Sequence, residues 1–595
     1  MNRSAAAVHE WVASFERALT AGDIEGAAAL FAAESYWRDL VAFSWNLTTV
    51  EGRAGVAELL RTTLGSTRPR GFAVTGEPTE GPGCVEAWLS FETAVGRGTA
   101  QLRLVEGRAW TLLTALDELK GHEEPTGDRR PRGAEHGADP DRVTWLERRT
   151  RETEELGHSR QPEVVIVGGG QGGIALAARL RQLDVPTIVV ERSPRPGDSW
   201  RNRYKSLCLH DPVWYDHLPY LPFPATWPVY APKDKIGDWL EMYTQVMELN
   251  YWGSTTARSA TYDERTGRWE LVVDRAGEPV TLRPRQLVLA LGVSGKPNVP
   301  EFPGRERFLG DQHHSSAHPG PDAYAGKRAV VIGSNNSAHD ICAALWETGA
   351  EVTMVQRSST CVVRSDLLME HALGPLYSER AAASGIDTRA ADLTLASVPY
   401  RIMGRFQKPI YDTIREEDAE FYARLAKAGF ELDFGDDDSG MFLKYLRRGS
   451  GYYIEVGASE LVADGSITLA RGEVAELTER EVVLADGTRL EADLVVYATG
   501  YRSMNGLAAD LVGPAVADRV GKVWGLGSDT AKDPGPWEGE ERNMWKPTRQ
   551  PGLWFHGGNL QQSRHYSLYL ALQLKARAEG IPTPVYGLAE VHHTS

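Results

Sequence analysis

Residues 163–191 read EVVIVGGGQGGIALAARLRQLDVPTIVVE, and this stretch decides the fold. A run of buried-strand character leads into Gly168, Gly170 and Gly173, which have GxGxxG spacing. A segment of helical period follows, and a second strand ends at Glu191. This order predicts a complete strand-helix-strand unit that binds a dinucleotide.

Each glycine has its own role in such a unit. Gly168 turns the chain sharply off the strand, Gly170 lets backbone amides approach a pyrophosphate, and Gly173 lets the helix pack closely on the strand. The pyrophosphate would lie at the helix N-terminus. Glu191 can accept hydrogen bonds from an adenosine ribose, and its carboxylate would repel a 2'-phosphate. The unit therefore favours FAD or NAD over NADP.

A second unit occupies residues 327–360, which read KRAVVIGSNNSAHDICAALWETGAEVTMVQRSST. Its loop has Asn335 in place of the middle glycine, and Asn tolerates left-handed dihedrals better than most residues. Its second strand ends in a guanidinium and hydroxyls, which suit a 2'-phosphate and therefore NADPH. The candidate contacts are Gly333, Asn335, Asn336, Ser337, Arg357, Ser358, Ser359 and Thr360.

Two units with opposite terminal chemistry predict that electrons pass from a nicotinamide to a flavin. Near the C-terminus a Gly-Gly-Asn sequence precedes a helix whose N-terminus can face the flavin pyrimidine. The further candidate cofactor contacts are Arg192, Trp200, Thr499, Gly500, Gly558 and Asn559.

The composition is that of a globular, acidic protein. Its 595 residues predict about three to four domains. With 81 acidic and 65 basic residues the net charge is -16, which disfavours nucleic acid and an anionic membrane surface as partners. We expect no export signal and no membrane span. The four scattered cysteines predict a reducing, cytoplasmic setting and no metal site.

The N-terminal residues predict a small α+β domain. Two helices, the second running through Phe31, precede strand-like segments that would form a curved antiparallel sheet. Trp37 and Asp39 could line a pocket there. The better-supported interpretation is that Trp37 is core and that Asp39 caps the chain or pairs with Arg38. A polar linker, residues 120–141, separates this domain from the first nucleotide unit.

Several motifs together resemble one family. Residues 308–314 (FLGDQHH) match the FxGxxxH fingerprint of class B flavoprotein monooxygenases, the group of flavin-containing, YUCCA-like and Baeyer-Villiger monooxygenases. The two glycine loops, Arg357 and the ATGY sequence at 498–501 agree with it. The first 118 residues, including LFAAESYWRDL, resemble the SnoaL-like family of cone-shaped domains. The combination is most similar to the type II flavin monooxygenases.

The resemblance implies an α/β fold with two Rossmann-like dinucleotide-binding domains, one for FAD and one for NADPH. A small α+β cone would precede them as an accessory domain. We expect the SnoaL-like domain over residues 1–118, a linker and connecting helix over 119–160, the first part of the FAD domain over 161–325, the NADPH domain with a helical insertion over 326–491, and the return to the FAD domain over 492–595.

The family's chemistry implies that NADPH reduces FAD and that a C4a-(hydro)peroxyflavin inserts one oxygen atom into a small organic substrate. The expected reactions are Baeyer-Villiger oxidation of ketones and S- or N-oxygenation. YUCCA-like oxidative decarboxylation of a 2-oxo acid and a non-catalytic flavin-containing binding protein are the alternatives. NADH is an alternative to NADPH. The resemblance implies a homodimer that binds a small-molecule substrate and O2.

Four residues are candidates for catalysis. His314, the fingerprint histidine, is implied to couple cofactor-domain movement to catalysis. His210 and Asp211 stand where flavin-containing monooxygenases have an Asn, and the pair could tune the proton that selects the reaction. Arg564 or His565 could add cationic character near the flavin. For each of them, a hydrogen-bonded structural group is the alternative.

Another enzyme class, the pyridine-nucleotide disulfide reductases, also has two such units. It needs two redox cysteines at CxxC or CxxxxC spacing, and the sequence has neither. Disulfide reduction is therefore excluded.

Arg357→Ala tests the second nucleotide assignment. If the guanidinium binds the 2'-phosphate, its loss raises KM for NADPH about tenfold to a hundredfold, because a charge-assisted contact is removed. NADH lacks that phosphate, so its kinetics change little. Measuring kcat/KM for both nucleotides in wild type and variant decides the matter. An equal loss for both would mean that Arg357 supports the fold.

Overall fold

The computed structural model describes residues 3–133, 138–293, 295–528 and 533–593. Its N-terminal part is a six-stranded sheet packed against helices. The helices are Arg3–Ala21, Ile24–Ala29 and Gly52–Thr67. The strands are Phe31–Leu40, Leu47–Glu51, Arg70–Gly81, Cys84–Glu92, Gly96–Val105 and Arg108–Leu119, and we call them the N-terminal sheet.

The predicted strand segments of the N-terminal sheet, Cys84–Glu92, Gly96–Val105 and Arg108–Leu119, pair antiparallel as expected, and Phe31–Leu40, a strand that was not predicted, joins them. Strand Phe31–Leu40 pairs antiparallel with Leu47–Glu51 but parallel with Arg108–Leu119. The sequence pattern placed a helix through Phe31, whereas a strand begins there. The second half of that strand is buried on both faces, so it lacks the alternation that marks a half-exposed strand. The SnoaL-like assignment stays a prediction.

The interior of the N-terminal sheet is packed with aromatic rings. Trp37 is fully buried, stacks on Phe31 and donates its indole N–H to Thr114 Oγ1 at 2.9 Å. Asp39 accepts hydrogen bonds from the backbone amide and the hydroxyl of Ser44, at 2.8 and 2.6 Å. Trp37 is therefore core and Asp39 caps a turn.

The first nucleotide unit is a sheet of five parallel strands. In spatial order they are Leu553–Phe555, Gln286–Leu289, Val164–Val167, Thr187–Val190 and Tyr251–Trp252. The helix Gln171–Gln182 joins the third and fourth of these, and the helices Asp198–Arg201, Val213–Asp216 and Lys233–Val246 follow. An antiparallel sheet of Thr255–Asp263, Arg268–Arg275 and Glu278–Leu282 precedes the strand that ends at Leu289.

The second nucleotide unit is another parallel five-stranded sheet. Its order is Asp311–His314, Leu494–Tyr497, Arg328–Ile332, Glu351–Gln356 and Thr468–Arg471, and its helix is Asn336–Glu347. Three short strands, Val474–Leu477, Glu481–Leu484 and Arg489–Glu491, form a meander beside it.

Two strands of this second sheet lie outside the range 326–491 that was expected for the NADPH domain, and the domain bounds stay a prediction. The strand Asp311–His314 was expected in the FAD domain and Leu494–Tyr497 in its return, but both pair within the second sheet. Both strands are only four residues long, and the sequence pattern of so short a strand does not indicate which sheet it joins. The chain rejoins the first sheet only with Leu553–Phe555. Between the units, Lys296–Pro297 pairs with Tyr501–Arg502.

A helical insertion interrupts the second unit between the paired strands Cys361–Arg364 and Tyr452–Glu455. Its helices are Ser365–Leu368, Met369–Leu373, Glu379–Ala383, Thr388–Ala396, Tyr400–Glu417, Ala419–Lys427 and Met441–Arg448. The helices that follow it in the described residues are Ala458–Ala463, Met504–Val512, Pro514–Val520 and the C-terminal helix Leu560–Ala578. None of the helices in the described ranges has the length and apolar character that a bilayer span needs.

A buried ion pair fastens the N-terminal sheet to the rest of the chain. The guanidinium of Arg38, on strand Phe31–Leu40, donates two hydrogen bonds to Glu540 outside the N-terminal sheet, at 2.7 and 2.8 Å. Both side chains are almost completely buried. Residues 134–137 of the predicted linker lie outside the described residues. The N-terminal sheet is therefore more than a tethered accessory, because its contact with the nucleotide-binding body is itself part of the core.

Candidate functional site

The first glycine loop has one open position between two closed ones. A side-chain carbon at Gly168 would lie 2.2 Å from the carbonyl oxygen of Ala290, and one at Gly173 would lie 2.0 Å from that of Gly168. The packing of the chain itself therefore requires these two glycines. At Gly170 the nearest atom is Ser199 Oγ at 3.6 Å. The open space there, in front of a helix N-terminus, fits a pyrophosphate.

Glu191 lies against this loop. Its carboxylate accepts hydrogen bonds from the amide of Gly169 at 2.7 Å and from a second amide two residues further along the chain. Its charge therefore faces the position expected for the adenosine ribose. Trp200 is buried and donates its indole N–H to Gln171 on the loop helix, whereas Arg192 is exposed.

The N-terminus of the C-terminal helix lies beside the same loop. Asn559 caps that helix in a reciprocal pair with Gln562, and Gln171 donates a hydrogen bond to the carbonyl of Gly558 at 3.3 Å. A side-chain carbon at Gly557 would meet no atom within 4 Å. Two helix N-termini thus border open space, an arrangement that stabilises anionic and carbonyl oxygens.

The second glycine loop has the same closed first position. A side-chain carbon at Gly333 would lie 2.3 Å from the carbonyl oxygen of Ala498. Asn335 has φ -100° and ψ -168°, an extended conformation open to any residue. The expectation that Asn serves a left-handed dihedral here is therefore wrong. Its side-chain oxygen instead accepts a hydrogen bond from Thr360 Oγ1 at 3.4 Å.

The predicted phosphate contacts after the second strand divide into two groups. Arg357 and Ser358 are exposed, and Ser359 is half-buried. An exposed guanidinium keeps its donors available to a phosphate. Thr360 is buried and shares a hydrogen bond with Ser334 Oγ at 2.8 Å, so it supports the glycine loop.

Asn336 and Ser337 begin the helix of the second unit. The side-chain oxygen of Asn336 accepts a hydrogen bond from the amide of Ile454 at 3.0 Å. Asn336 therefore holds the strand Tyr452–Glu455, where the insertion ends, against the glycine loop. Ser337 is half-buried in the first helical turn.

His314 lies at the connection between the two units. Its Nε2 is 3.0 Å from the carbonyl oxygen of Gly500, and its Nδ1 accepts a hydrogen bond from the amide of Ser316. Thr499 donates its hydroxyl to the carbonyl of Asn298 at 2.5 Å. Burial lowers the pKa of His314, so its ring is neutral and donates from Nε2. The hydrogen bond from His314 connects the strand Asp311–His314 to Gly500, which lies between the two parallel sheets.

A carboxylate joins the two nucleotide units. Asp340, on the second unit's helix, accepts a hydrogen bond from the Tyr204 hydroxyl at 2.7 Å and lies 3.6 Å from His210 Nε2. Burial alone would lower the pKa of His210, but the hydrogen bond and charge of Asp340 raise it above its ordinary value. Burial raises the pKa of Asp211 to about 6 against the charge of His210. Asp211 therefore changes its charge near pH 6, beside a His210 ring on which Asp340 favours a proton.

Arg564 is the centre of a buried network. It donates to both carboxylate oxygens of Asp392, at 2.9 and 2.8 Å, and to the carbonyls of Tyr215 and His217, at 2.6 Å each. All its nitrogens are engaged, so it positions these segments and its charge is balanced. Burial lowers the pKa of neighbouring His565 to about 4, so that ring is neutral.

A cavity lies between the C-terminal helix, the insertion and the N-terminal sheet. It has a volume of about 50 Å³ and is partly open to solvent. Its walls are mostly aromatic and apolar, and they include Tyr215, Tyr400, Met403, Phe442, Tyr445 and Tyr566. The Tyr445 hydroxyl accepts a hydrogen bond from the amide of Asn559 at 3.0 Å. The cavity therefore adjoins the capped end of the C-terminal helix.

Sequence reasoning missed three acids that organise the site: Asp340, Asp392 and Glu540. Each binds a basic side chain from a distant segment of the chain. Asp340 carried a signal, since it is a carboxylate directly before the apolar run of a nucleotide-binding helix. For the other two, the local sequence contains no sign of the partner.

Comparison with known proteins identifies the family. A family model described as pyridine nucleotide-disulphide oxidoreductase matches residues 165–388. Indole-3-pyruvate monooxygenase YUCCA1 of Oryza sativa subsp. japonica is 31% identical over 344 residues, which are 58% of this chain and 77% of the relative. The chain belongs to the class B flavoprotein monooxygenases.

Other relatives of this class B monooxygenase have similar names. The probable indole-3-pyruvate monooxygenase YUCCA7 of Arabidopsis thaliana is 31% identical over 347 residues, 57% of this chain and 74% of the relative. Among solved structures, an oxidized steroid monooxygenase bound to NADP has a TM-score of 0.49 and 20% identity, and the match covers 71% of this chain and 85% of the other. The protein is an oxidoreductase, and FAD and NADP are its cofactors.

Gly170→Val tests the cradle of the first loop. The backbone at this position has φ -78°, which any residue adopts, and the protein leaves room for the side chain. We therefore expect a folded variant that has lost FAD, because the new side chain fills the space of the pyrophosphate. Flavin absorbance per protein and circular dichroism measure the two properties. Gly173→Val, which would collide with backbone, should fail to fold, and full flavin loading of Gly170→Val would contradict the assignment.

Proposed function

We propose that this monooxygenase inserts one oxygen atom from O2 into a small, uncharged organic substrate. The reaction is Baeyer-Villiger oxidation of a ketone, oxygenation of sulfur or nitrogen, or both. The observation that carries the proposal is the charge balance of the cavity. Its two charged lining residues, Arg38 and Asp392, are each bound to a buried group of opposite charge. A charge on the substrate would be desolvated there without a partner.

The two glycine loops would hold the cofactors. FAD would bind the first unit through Gly168, Gly170, Gly173 and Glu191, with Gly558 and Asn559 at its ring. NADPH would bind the second unit through Gly333, Ser337, Arg357, Ser358 and Ser359, with NADH as the alternative. When bound, NADPH supplies a hydride to FAD, and the reduced flavin supplies the activation of O2. The homodimer stays a prediction.

We assign the handling of a proton to His210 and Asp211. Asp340 favours a proton on the His210 ring, and Asp211 is half-buried beside it with a pKa of about 6. As pH rises through about 6, Asp211 loses its proton, while Asp340 favours retention of the proton on His210. The net charge of His210 and Asp211 then decides whether the surrounding site favours a protonated or an anionic oxygenating group. That property separates attack on a ketone from transfer to sulfur or nitrogen.

We assign to His314 the coupling of movement between the two nucleotide units. This role is supported by the hydrogen bond between His314 and the carbonyl of Gly500. Gly500 directly precedes the strand Tyr501–Arg502, which pairs with Lys296–Pro297. Among the described residues, this is the only strand pair at the place where the chain crosses between the two parallel sheets. A shift of one unit against the other must change this contact. His314 thus acts as a positioning residue.

Oxidative decarboxylation of a 2-oxo acid is the second candidate reaction. The names of the relatives that are 31% identical favour it. A 2-oxo acid carries a carboxylate, which an available cation binds most strongly. In the described part of the cavity wall the lining guanidinium, Arg38, is already occupied by Glu540. The cavity therefore favours the uncharged substrate.

A non-catalytic binding protein is the remaining alternative. It would need a ligand pocket inside the N-terminal domain. Stacked and edge-on aromatic rings, among them Phe15, Phe31, Trp37, Phe43 and Phe72, fill that interior. Family membership and this packing both favour catalysis.

Oxygen uptake with a matched set of substrates tests the proposal. We expect NADPH-dependent O2 consumption to rise with cyclohexanone, with methyl phenyl sulfide or with a tertiary amine, and product analysis to find one added oxygen atom. Phenylpyruvate, a 2-oxo acid of similar size, should give little stimulation. Stimulation by phenylpyruvate with release of CO2, and none by the neutral compounds, would replace the proposal with the decarboxylation.

A further inference from the structure

Four parts of the chain meet at the cavity, and one of them is the N-terminal sheet. The insertion contributes Leu395, Met403 and Phe442, and the C-terminal helix contributes His565 and Tyr566. The nucleotide-binding body adds the Tyr215 ring. The N-terminal sheet adds the side chain of Arg38, the lining residue that comes from outside the family's two nucleotide units and their insertion.

The Arg38 side chain is held in one position at the cavity, because each of its three guanidinium nitrogens donates a hydrogen bond. Two bonds go to Glu540, a third goes to the carbonyl of Ala396 at 2.7 Å, and a fourth goes to the Tyr566 hydroxyl at 3.0 Å. The guanidinium carbon also lies 4.6 Å from the centre of the Tyr400 ring. The planar group therefore connects two walls of the cavity and presents no free charge to it.

A second arginine of the N-terminal sheet fixes the same wall. Arg103 is buried and donates to the carbonyl and the hydroxyl of Ser397, at 3.0 and 2.8 Å. Ser397 directly follows Ala396, the residue that Arg38 binds. The end of helix Thr388–Ala396 is thus held at two successive residues, and this helix supplies Leu395 to the cavity.

Among the described lining residues, two have a buried polar atom without a hydrogen-bond partner: the side-chain oxygen of Gln407 and the imidazole of His565. Of the two residues, His565 is the buried one. It is buried, it lines the cavity, and its Nε2 has no hydrogen-bond partner among the described residues. Because the ring is neutral, it offers one donor or one acceptor. A buried imidazole nitrogen without a partner is costly, and a bound ligand with a single carbonyl or hydroxyl group would supply the missing bond.

We propose that Arg38 makes the N-terminal sheet a wall of the substrate cavity, and that the cavity takes an uncharged, mainly apolar ring compound whose one polar group pairs with His565. The inference rests on the proposed function and deepens it. It assigns to the N-terminal sheet a part in substrate selection.

The first test fills the cavity from the insertion. Met403→Trp places an indole in the cavity, and Thr413→Trp, exposed on the same helix, is the matched control. We expect Kd for cyclohexanone, measured by the ligand-induced rise in melting temperature, to increase at least tenfold in the first variant and to stay within twofold in the second. FAD content checks the folding of both. An unchanged Kd in a flavin-loaded Met403→Trp enzyme would overturn the site.

The second test addresses the polar contact and the wall. His565→Phe should raise KM for the ketone about tenfold with a smaller change in kcat, and His565→Gln, which restores a donor and an acceptor, should recover part of the loss. Arg38→Lys keeps the positive charge beside Glu540 but loses the planar guanidinium that donates two parallel hydrogen bonds to it. It should change the ratio of kcat/KM between cyclohexanone and a twelve-membered ring ketone at least threefold, while Arg108→Lys, at an exposed site of the same sheet, should not.

The two proposals fail in different ways. If the wild type binds cyclohexanone, and Met403→Trp abolishes binding, but no neutral compound is oxygenated, the cavity stands and the proposed reaction is wrong. If neutral compounds are oxygenated and the variants at Met403, His565 and Arg38 leave their kinetics unchanged, the proposed reaction stands and the cavity assignment is wrong.

Discussion

The arrangement of the N-terminal sheet, the helical insertion and the C-terminal helix depends on the buried ion pair between Arg38 and Glu540. The pair joins residues that are 502 positions apart in the chain. Burying two charges is costly unless each finds its partner with good geometry, and here two parallel hydrogen bonds supply it. Because the same guanidinium also binds the insertion and the C-terminal helix, three parts of the molecule share one anchor.

A second balanced pair, Arg564 with Asp392, fastens the C-terminal helix to the insertion from the other side. The two pairs together explain why charged residues line the space between these parts and present no unbalanced charge to it. Asp340 has a comparable role where the two nucleotide units meet. Its carboxylate accepts a hydrogen bond from Tyr204 and lies close to the His210 ring. In all three places, a charge that is buried for structural reasons also sets the electrostatics of the site.

The sequence predicted those features that depend on short-range geometry. The close approaches at Gly168 and Gly333 follow from the turn between strand and helix, and Glu191 lies against the first loop at the position that the motif requires. The strand Phe31–Leu40 and the place of Leu494–Tyr497 were not predicted, since their sheets are decided by tertiary pairing. Glu540 and Asp392 were missed for the same reason: a distant partner leaves no local pattern.

A double-mutant cycle on Arg38 and Glu540 tests the central claim most directly. Each single variant, Arg38→Met or Glu540→Gln, leaves a buried group without its partner and should lower the free energy of unfolding by about 3 to 5 kcal/mol. The double variant removes both charges, so it should melt at a higher temperature than Arg38→Met alone. Melting temperatures of the four proteins, loaded with FAD, provide the comparison. Small, additive losses of about 1 kcal/mol or less, as for an exposed pair, would contradict the claim that this contact holds the three parts together.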